Sequence, residues 1–188
     1  YTLRYTLSLH DALPISPGVF TLTREEHGIA ARLDVCVVPG RALELRRLRL
    51  TNRTQSARTI SATAALEVVL HHPQADSSHP AFSRLFVQTA WDEVVSALVA
   101  TRRPREAGER FPTMAFTLLE EPGAEHESDR ARFLGRAPDR ARPRALAFGG
   151  PLSGTVGNVL DPVFVLRATR ALAPGASVTL TFALAAGW

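Results

Sequence analysis

The chain has 188 residues, of which 45% are hydrophobic and 21% charged, a balance ordinary for one globular domain, and its single cysteine excludes an internal disulfide. No run approaches the roughly 20 apolar residues of a membrane span, so no membrane contact is expected of this segment itself. The net charge of +4 comes from 22 basic residues that are all arginine, and these are mixed with Asp and Glu and poor in neighbouring aromatics, so nucleic acid is not an expected partner.

Both ends read as cut. The opening sixteen residues, Tyr1 to Ser16, fit poorly with the rest of the chain and resemble translated sequencing-adapter read-through. His10 and Asp11 interrupt any signal-peptide core. These residues are therefore set aside, and residues 17–188 are read as one domain.

From Val19 onward the dominant period is two. Leu33, Val35 and Val37 alternate with Arg32, Asp34 and Cys36, as on a strand with one apolar face. Cys36, within an apolar run and without an adjacent base or cation, is expected to be a buried, inert thiol. A turn at Pro39-Gly40 comes next. Leu43 and Leu45 then alternate with Glu44 and Arg46, but the doubled Arg46-Arg47 throws Leu48 and Leu50 out of phase, which predicts a β-bulge. Thr51 to Thr54 supplies a turn before a run rich in Thr, Ile and Val from Thr59 to Leu70.

His71-His72-Pro73-Gln74-Ala75-Asp76-Ser77-Ser78-His79 carries ligand types suited to zinc. Pro73 and the polar residues predict a solvated loop with no geometry to fix such ligands, so no metal is expected. Further strands are predicted at Leu85–Thr89, Val94–Thr101, Met114–Leu119, Val163–Thr169 and Val178–Leu184. Ala173-Pro174-Gly175 would join the last two as an antiparallel hairpin.

Only Asp129–Leu134 is expected to form a helical turn. Around it, Glu127 to Arg136 mixes carboxylates with Arg130, Arg132, Arg136 and Phe133. Guanidinium forks of this kind order loops through ion pairs, and they also contact sugar hydroxyls. Gly149 to Gly157 is glycine-rich but lacks the Lys-Ser/Thr ending and following helix of a phosphate loop. Nor does Ser153 stand in a Gly-x-Ser-x-Gly elbow, so a tight turn is expected. The acidic residues Glu67, Asp76, Asp92, Glu93, Glu120, Glu121 and Asp161 form no pair legible from sequence, as glycoside chemistry would require. The expected class is an all-β antiparallel β-sandwich, with no catalytic residue and no cofactor.

Several consecutive strings match a known family: LRRLRLTNR at residues 45–53, ALEVVL at 65–70, HPAFSRLFVQT at 79–89, DRARFLGR at 129–136 and LSGTVGNVLDPVFVLR at 152–167. They resemble the supersandwich domain of glycoside hydrolase family 94, most of all the first sandwich of cyclic β-1,2-glucan synthases. The resemblance runs from about Val19 to the end. It implies a galactose-mutarotase-like supersandwich beside a downstream (α/α)6 barrel that holds the family's catalytic Asp and phosphate site. It also implies a second sandwich, upstream membrane spans and a UDP-glucose-dependent module in the parent chain, with this domain at the cytoplasmic face of a bacterial inner membrane. By the same resemblance Arg130, Arg132 and Arg136 are the candidates for contact with a β-glucan or glucoside, while His79 and Phe82 are structural. A soluble disaccharide phosphorylase of the cellobiose type, lying in the cytoplasm, and a stand-alone sugar-binding module are the alternative parents.

Overall fold

The computed structural model describes residues 12–16, 18–135, 143–147 and 149–188. They form two antiparallel sheets. The strands are β1 (Ala12–Ser16), β2 (Val19–Glu26), β3 (Ile29–Val37), β4 (Leu43–Asn52), β5 (Arg58–Glu67), β6 (Val87–Asp92), β7 (Ala97–Arg102), β8 (Thr113–Leu118), β9 (Glu125–Asp129), β10 (Pro162–Leu172) and β11 (Ser177–Gly187). The large sheet runs β1-β2-β3-β4-β11-β8-β7-β6, and β5-β10-β9 form the small one. Four short helices, α1 (Pro73–Ser78), α2 (Pro80–Arg84), α3 (Arg130–Leu134) and α4 (Arg144–Ala147), complete the described elements.

The alternation seen in sequence becomes the core. Phe182 and Leu180 of β11, Phe116 of β8, and Leu98 of β7 point inward from the large sheet and meet Phe164 and Leu166 of β10. Phe116 stacks on Phe164 across the sandwich at 6.3 Å and on Phe182 within its own sheet at 6.0 Å. Each such pair is worth about 0.5–1.5 kcal/mol beyond its buried area. A second cluster, Phe133, Leu152, Val163 and Val165, fills the other side of the small sheet beneath α3 and α4. The central strand β10 is therefore buried on both faces.

Five local expectations are corrected. β4 carries no bulge, for its pairing with β3 and β11 runs unbroken through Arg46 and Arg47. Leu48 and Leu50 face the core while Leu43 and Leu45 lie on the outer face. Arg46 is tolerated on the inner face because there it borders the open cleft between the sheets and pairs with Glu44 at 2.5 Å. Cys36 consequently falls on the outer face opposite Leu45 and is half-buried, not fully so.

The last two strands are not a hairpin: β10 belongs to the small sheet and β11 to the large. Within His71–His79, expected as a loop, residues 73–78 form α1, and α2 follows at once; each has proline near its start, where the missing N–H costs nothing. Residues 149–157 make no tight turn. They run alongside β9, with Gly154 N–H donating to the His126 carbonyl at 3.0 Å and Ser128 N–H to that of Thr155 at 3.0 Å. Gly157 then bridges to Thr89 of β6, and the Thr89 and Ser128 hydroxyls meet at 2.6 Å in the interior. This segment closes one flank of the sandwich, joining the edges of the two sheets.

At the opposite corner the link is a single side chain. Asn52, fully buried, ends β4. Its amide nitrogen donates to the carbonyls of Ser56, Leu172 and Ala173 at 2.8, 3.0 and 3.2 Å. Its side-chain oxygen accepts from the N–H and hydroxyl of Thr54, and its own backbone pairs with Gly175 and Ala176. Both crossings between sheets, β4 to β5 and β10 to β11, are tied by this residue. Gly28, at φ +74°, packs so closely here that a Cβ would lie 2.4 Å from the Thr54 methyl.

Candidate functional site

The outer side of the small sheet carries the richest polar architecture. Helix α3 starts where β9 ends, because the Asp129 carboxylate caps it by accepting from the N–H groups of Ala131 and Arg132 at 2.8 and 3.4 Å. Gly135, at φ +81°, stops it. A Cβ there would come within 2.9 Å of the Arg144 Cβ, so the glycine lets α4 close against α3.

Successive helical residues turn by about 100°, so Arg130 and Arg132 leave α3 on different sides. Arg130 joins an ion-pair network. Its guanidinium meets Asp161 at 3.1 Å and Glu67 at 3.5 Å. Arg84 of α2 reaches the other Asp161 oxygen at 2.7 Å and lies 3.7 Å from Asp76 and 3.9 Å from Glu67. Two arginines thus share Asp161 and hold together α1, α2, α3 and the end of β5. Asp76 serves this network. Among the described residues no three His, Cys, Asp or Glu converge as metal ligands.

Arg132 instead stands open, with its side chain 60% exposed and only a 3.7 Å approach to Asp129. It lines a groove of about 530 Å3 with Arg144, Ser153, Gly150 and Pro151, and Glu127 lies at its base. Glu127 is 1% exposed. Its carboxylate accepts from the N–H groups of Ser128 and Asp129 at 2.9 and 2.8 Å and from the Ser153 hydroxyl. Nearby, the buried Arg167 guanidinium bonds Glu125 and the Gly150 carbonyl, the latter at 2.7 Å, and Glu125 also accepts from Leu152 N–H. The loop that forms one wall of the groove is therefore built from beneath by two carboxylates of β9. Arg136 lies outside the described residues.

A second basic cluster surrounds Arg102. This 7% exposed guanidinium donates to the Ser83 carbonyl at 2.7 Å and lies 5.4 and 5.1 Å from the ring centres of Phe86 and Phe111. His71 packs edge-on against Phe111 at 5.5 Å. Burial, with Arg102 and His72 nearby, holds the imidazole below its usual range despite the opposing pull of Glu109.

The sandwich and its two strand edges agree with a family assignment that spans nearly the whole chain: residues 15–187 match the family model described as Glycosyl hydrolase 94, supersandwich domain. The chain belongs to that family. The supersandwich is 32% identical over 158 residues to the Cyclic beta-(1,2)-glucan synthase NdvB of Rhizobium meliloti (strain 1021). The aligned region takes in 82% of this chain and 6% of that protein. In fold, the supersandwich is similar to a putative aldose 1-epimerase from Escherichia coli K12, with a TM-score of 0.52 at 12% identity over 95% of this chain and 68% of that one. That likeness gives the galactose-mutarotase-like architecture and nothing more.

Of the site residues expected from sequence, the supersandwich sets Arg130 and Arg132 on two flanks of α3. Sequence reasoning missed Arg144 and the contact that joins Glu127 to Ser153. Glu127 and Ser153 are 26 residues apart, and no local pattern joins them. The one available signal is the glycine content of residues 149–157, which marks a loop able to lie flat against a strand edge.

Proposed function

We propose that this domain is the non-catalytic sandwich of a larger glycoside hydrolase family 94 enzyme, of the cyclic β-1,2-glucan synthase type. In that role it packs beside an (α/α)6 barrel and a second sandwich, and it touches the glucan through the groove around Arg132. The observation that carries this reading is the 32% identity to a glucan synthase of which the matched region forms only 6%: a domain-sized piece of a much longer enzyme. In such a parent the domain would sit at the cytoplasmic face of a bacterial inner membrane. No described helix is long and apolar enough to cross a membrane.

The groove supports the contact role by its chemistry. Arg132, Arg144 and the Ser153 hydroxyl offer donors and acceptors on one wall, matched to vicinal sugar hydroxyls. Arg130, on the other flank of α3, lines a groove of about 310 Å3 with Glu67 and Phe133, a second place for a neighbouring sugar unit, and Arg136 would extend the same basic segment. The carboxylates here are committed to structural bonds: Glu127 to Ser128, Asp129 and Ser153, and Asp161 to two arginines. Acid–base work on a glycosidic bond requires a facing pair with room for the sugar between them.

The test is a titration of the chain with linear β-1,2-linked glucooligosaccharides, read by NMR shifts. Hydroxyl contacts largely replace contacts with water, so the expected affinity is millimolar. Arg132→Ala combined with Ser153→Ala should weaken it about tenfold, equivalent to about 1.4 kcal/mol. Unchanged affinity in the double variant would remove the groove from the proposal. Sustained phosphate consumption with a glucoside would overturn the non-catalytic role.

A further inference from the structure

The outer face of β2, β3 and β4, far in the fold from α3, has a charge arrangement that the sandwich does not need. In the β3–β4 register Arg32 stands directly opposite Arg49, in a row continued by Thr23 of β2 and Thr179 of β11. Like charges directly opposite on one face of a sheet are destabilising. Other arginines of this face have carboxylate partners. Arg47 approaches Asp34 at 3.6 Å, and Arg53 meets Glu25 at 2.6 Å. Arg32 bonds Asp34 through Nε alone, at 3.0 and 3.2 Å to its two oxygens. Arg49 is exposed and makes no ion pair among the described residues.

Between these side chains lies a groove of about 500 Å3, whose polar lining includes Arg32, Arg49, Thr23 and Thr51, with Arg53 and the Glu25 carboxylate it neutralises beside them. We propose that this groove is an oxyanion site in which Arg32 and Arg49 clamp a phosphate-type group. Two planar guanidinium forks match the oxygen edges of a phosphate, and the anion converts their mutual repulsion into a shared attraction. The threonine hydroxyls supply neutral donors beside the charges. Solvated arginines screened by salt would also persist on a surface, but they would show no preference for phosphate over chloride at equal ionic strength. The proposal is independent of the groove at Arg132.

The experiment compares the melting temperatures of the chain and of Arg49→Thr in chloride and in inorganic phosphate at matched ionic strength. For a Kd of about 1 mM, about 10 mM phosphate should raise the wild-type Tm by roughly 3–5 °C. Arg49→Thr should melt higher than wild type in chloride, because the repulsion is gone, and should not respond to phosphate. Arg32→Thr serves as the second variant and should also lose the response. Sedimentation with phosphatidylglycerol-containing vesicles separates the sources. Binding that Arg49→Thr abolishes assigns a lipid headgroup, whereas a response to free phosphate without vesicle binding assigns a soluble phosphate. No response of the wild type to either probe, or an equal phosphate response in wild type and both variants, would overturn the site.

Discussion

Asn52 donates its side-chain amide to the carbonyl of Leu172 at 3.0 Å, across 120 residues of sequence. The residue that ends β4 thereby also terminates β10, and the same amide reaches Ser56 and Ala173. Replacement by alanine leaves three carbonyls short of a donor at a fully buried corner. Asn52→Ala should cost about 2–4 kcal/mol in urea denaturation, as expected when a buried hydrogen-bond network is broken. Asn52→Asp should cost at least as much, because a carboxylate has no donor to offer those carbonyls. An effect within the scatter of surface substitutions would show that the two crossings hold without the clamp.

This corner also explains what the sequence could not reveal. The alternation of Val178, Leu180, Phe182 and Leu184 marks β11 plainly, since hydrophobic period is local. That this strand turns away from β10 into the other sheet is set by pairing with β4 and β8 and by bonds to Asn52, all far off in the chain. β9 is illegible for a different reason. Its sequence, Glu125 to Asp129, has no apolar or β-branched residue, and Glu127 and Ser128 are buried through hydrogen bonds and not through hydrophobicity. Helices α1 and α2 have a signal in Pro73 and Pro80, but segments of six and five residues are too short to present an apolar stripe that would confirm it. At the candidate site, Asp129 as helix cap and the adjacent arginines are local and readable. The wall opposite them is assembled from Arg144, Ala145 and residues 150–153, whose placement comes from the fold.

The separation of Arg130 from Arg132 predicts opposite behaviour on substitution. Arg130 is 22% exposed and shares Asp161 and Glu67 with Arg84. Arg130→Ala removes one of the two guanidiniums that Asp161 and Glu67 share and should destabilise the chain by about 1–2 kcal/mol, more than an isolated surface pair. Arg132→Ala should change stability by less than about 0.5 kcal/mol, as is usual for an exposed position. Parallel chemical denaturation of the two variants checks this. Equal losses would mean that Arg132 also has a structural partner.

Glu127 should be the most sensitive carboxylate of the domain. It is 1% exposed and receives two backbone N–H groups and the Ser153 hydroxyl. Glu127→Ala strands those donors and should cost about 3 kcal/mol. Glu127→Gln keeps Oε1 for both backbone N–H groups and can donate its NH2 to the Ser153 hydroxyl, which accepts as well as donates, so it should recover most of the loss. Hydrogen exchange at the amides of Ser128 and Asp129 localises the effect. Unaltered protection in Glu127→Ala would show that the carboxylate does not hold this turn.

His71 should make stability depend on pH just below neutrality. Burial, joined by the positive fields of Arg102 and His72, depresses its folded-state pKa from the ordinary 6.5, against the opposing influence of Glu109. Its Nδ1 also accepts from the His72 N–H at 2.8 Å, a bond that requires that nitrogen unprotonated. The folded state therefore favours neutral imidazole. Above the unfolded pKa, near 6.5, both states are neutral and the contribution is complete. As pH falls below that value the unfolded chain takes up the proton first, and stability drops until the folded pKa is passed. His71→Phe, which retains a ring against Phe111, should remove this component. The measurement is the difference in unfolding free energy between the two proteins from pH 7.5 to 5. A difference that shifts in favour of His71→Phe toward acid supports the assignment, and one independent of pH would show that the imidazole titrates alike folded and unfolded.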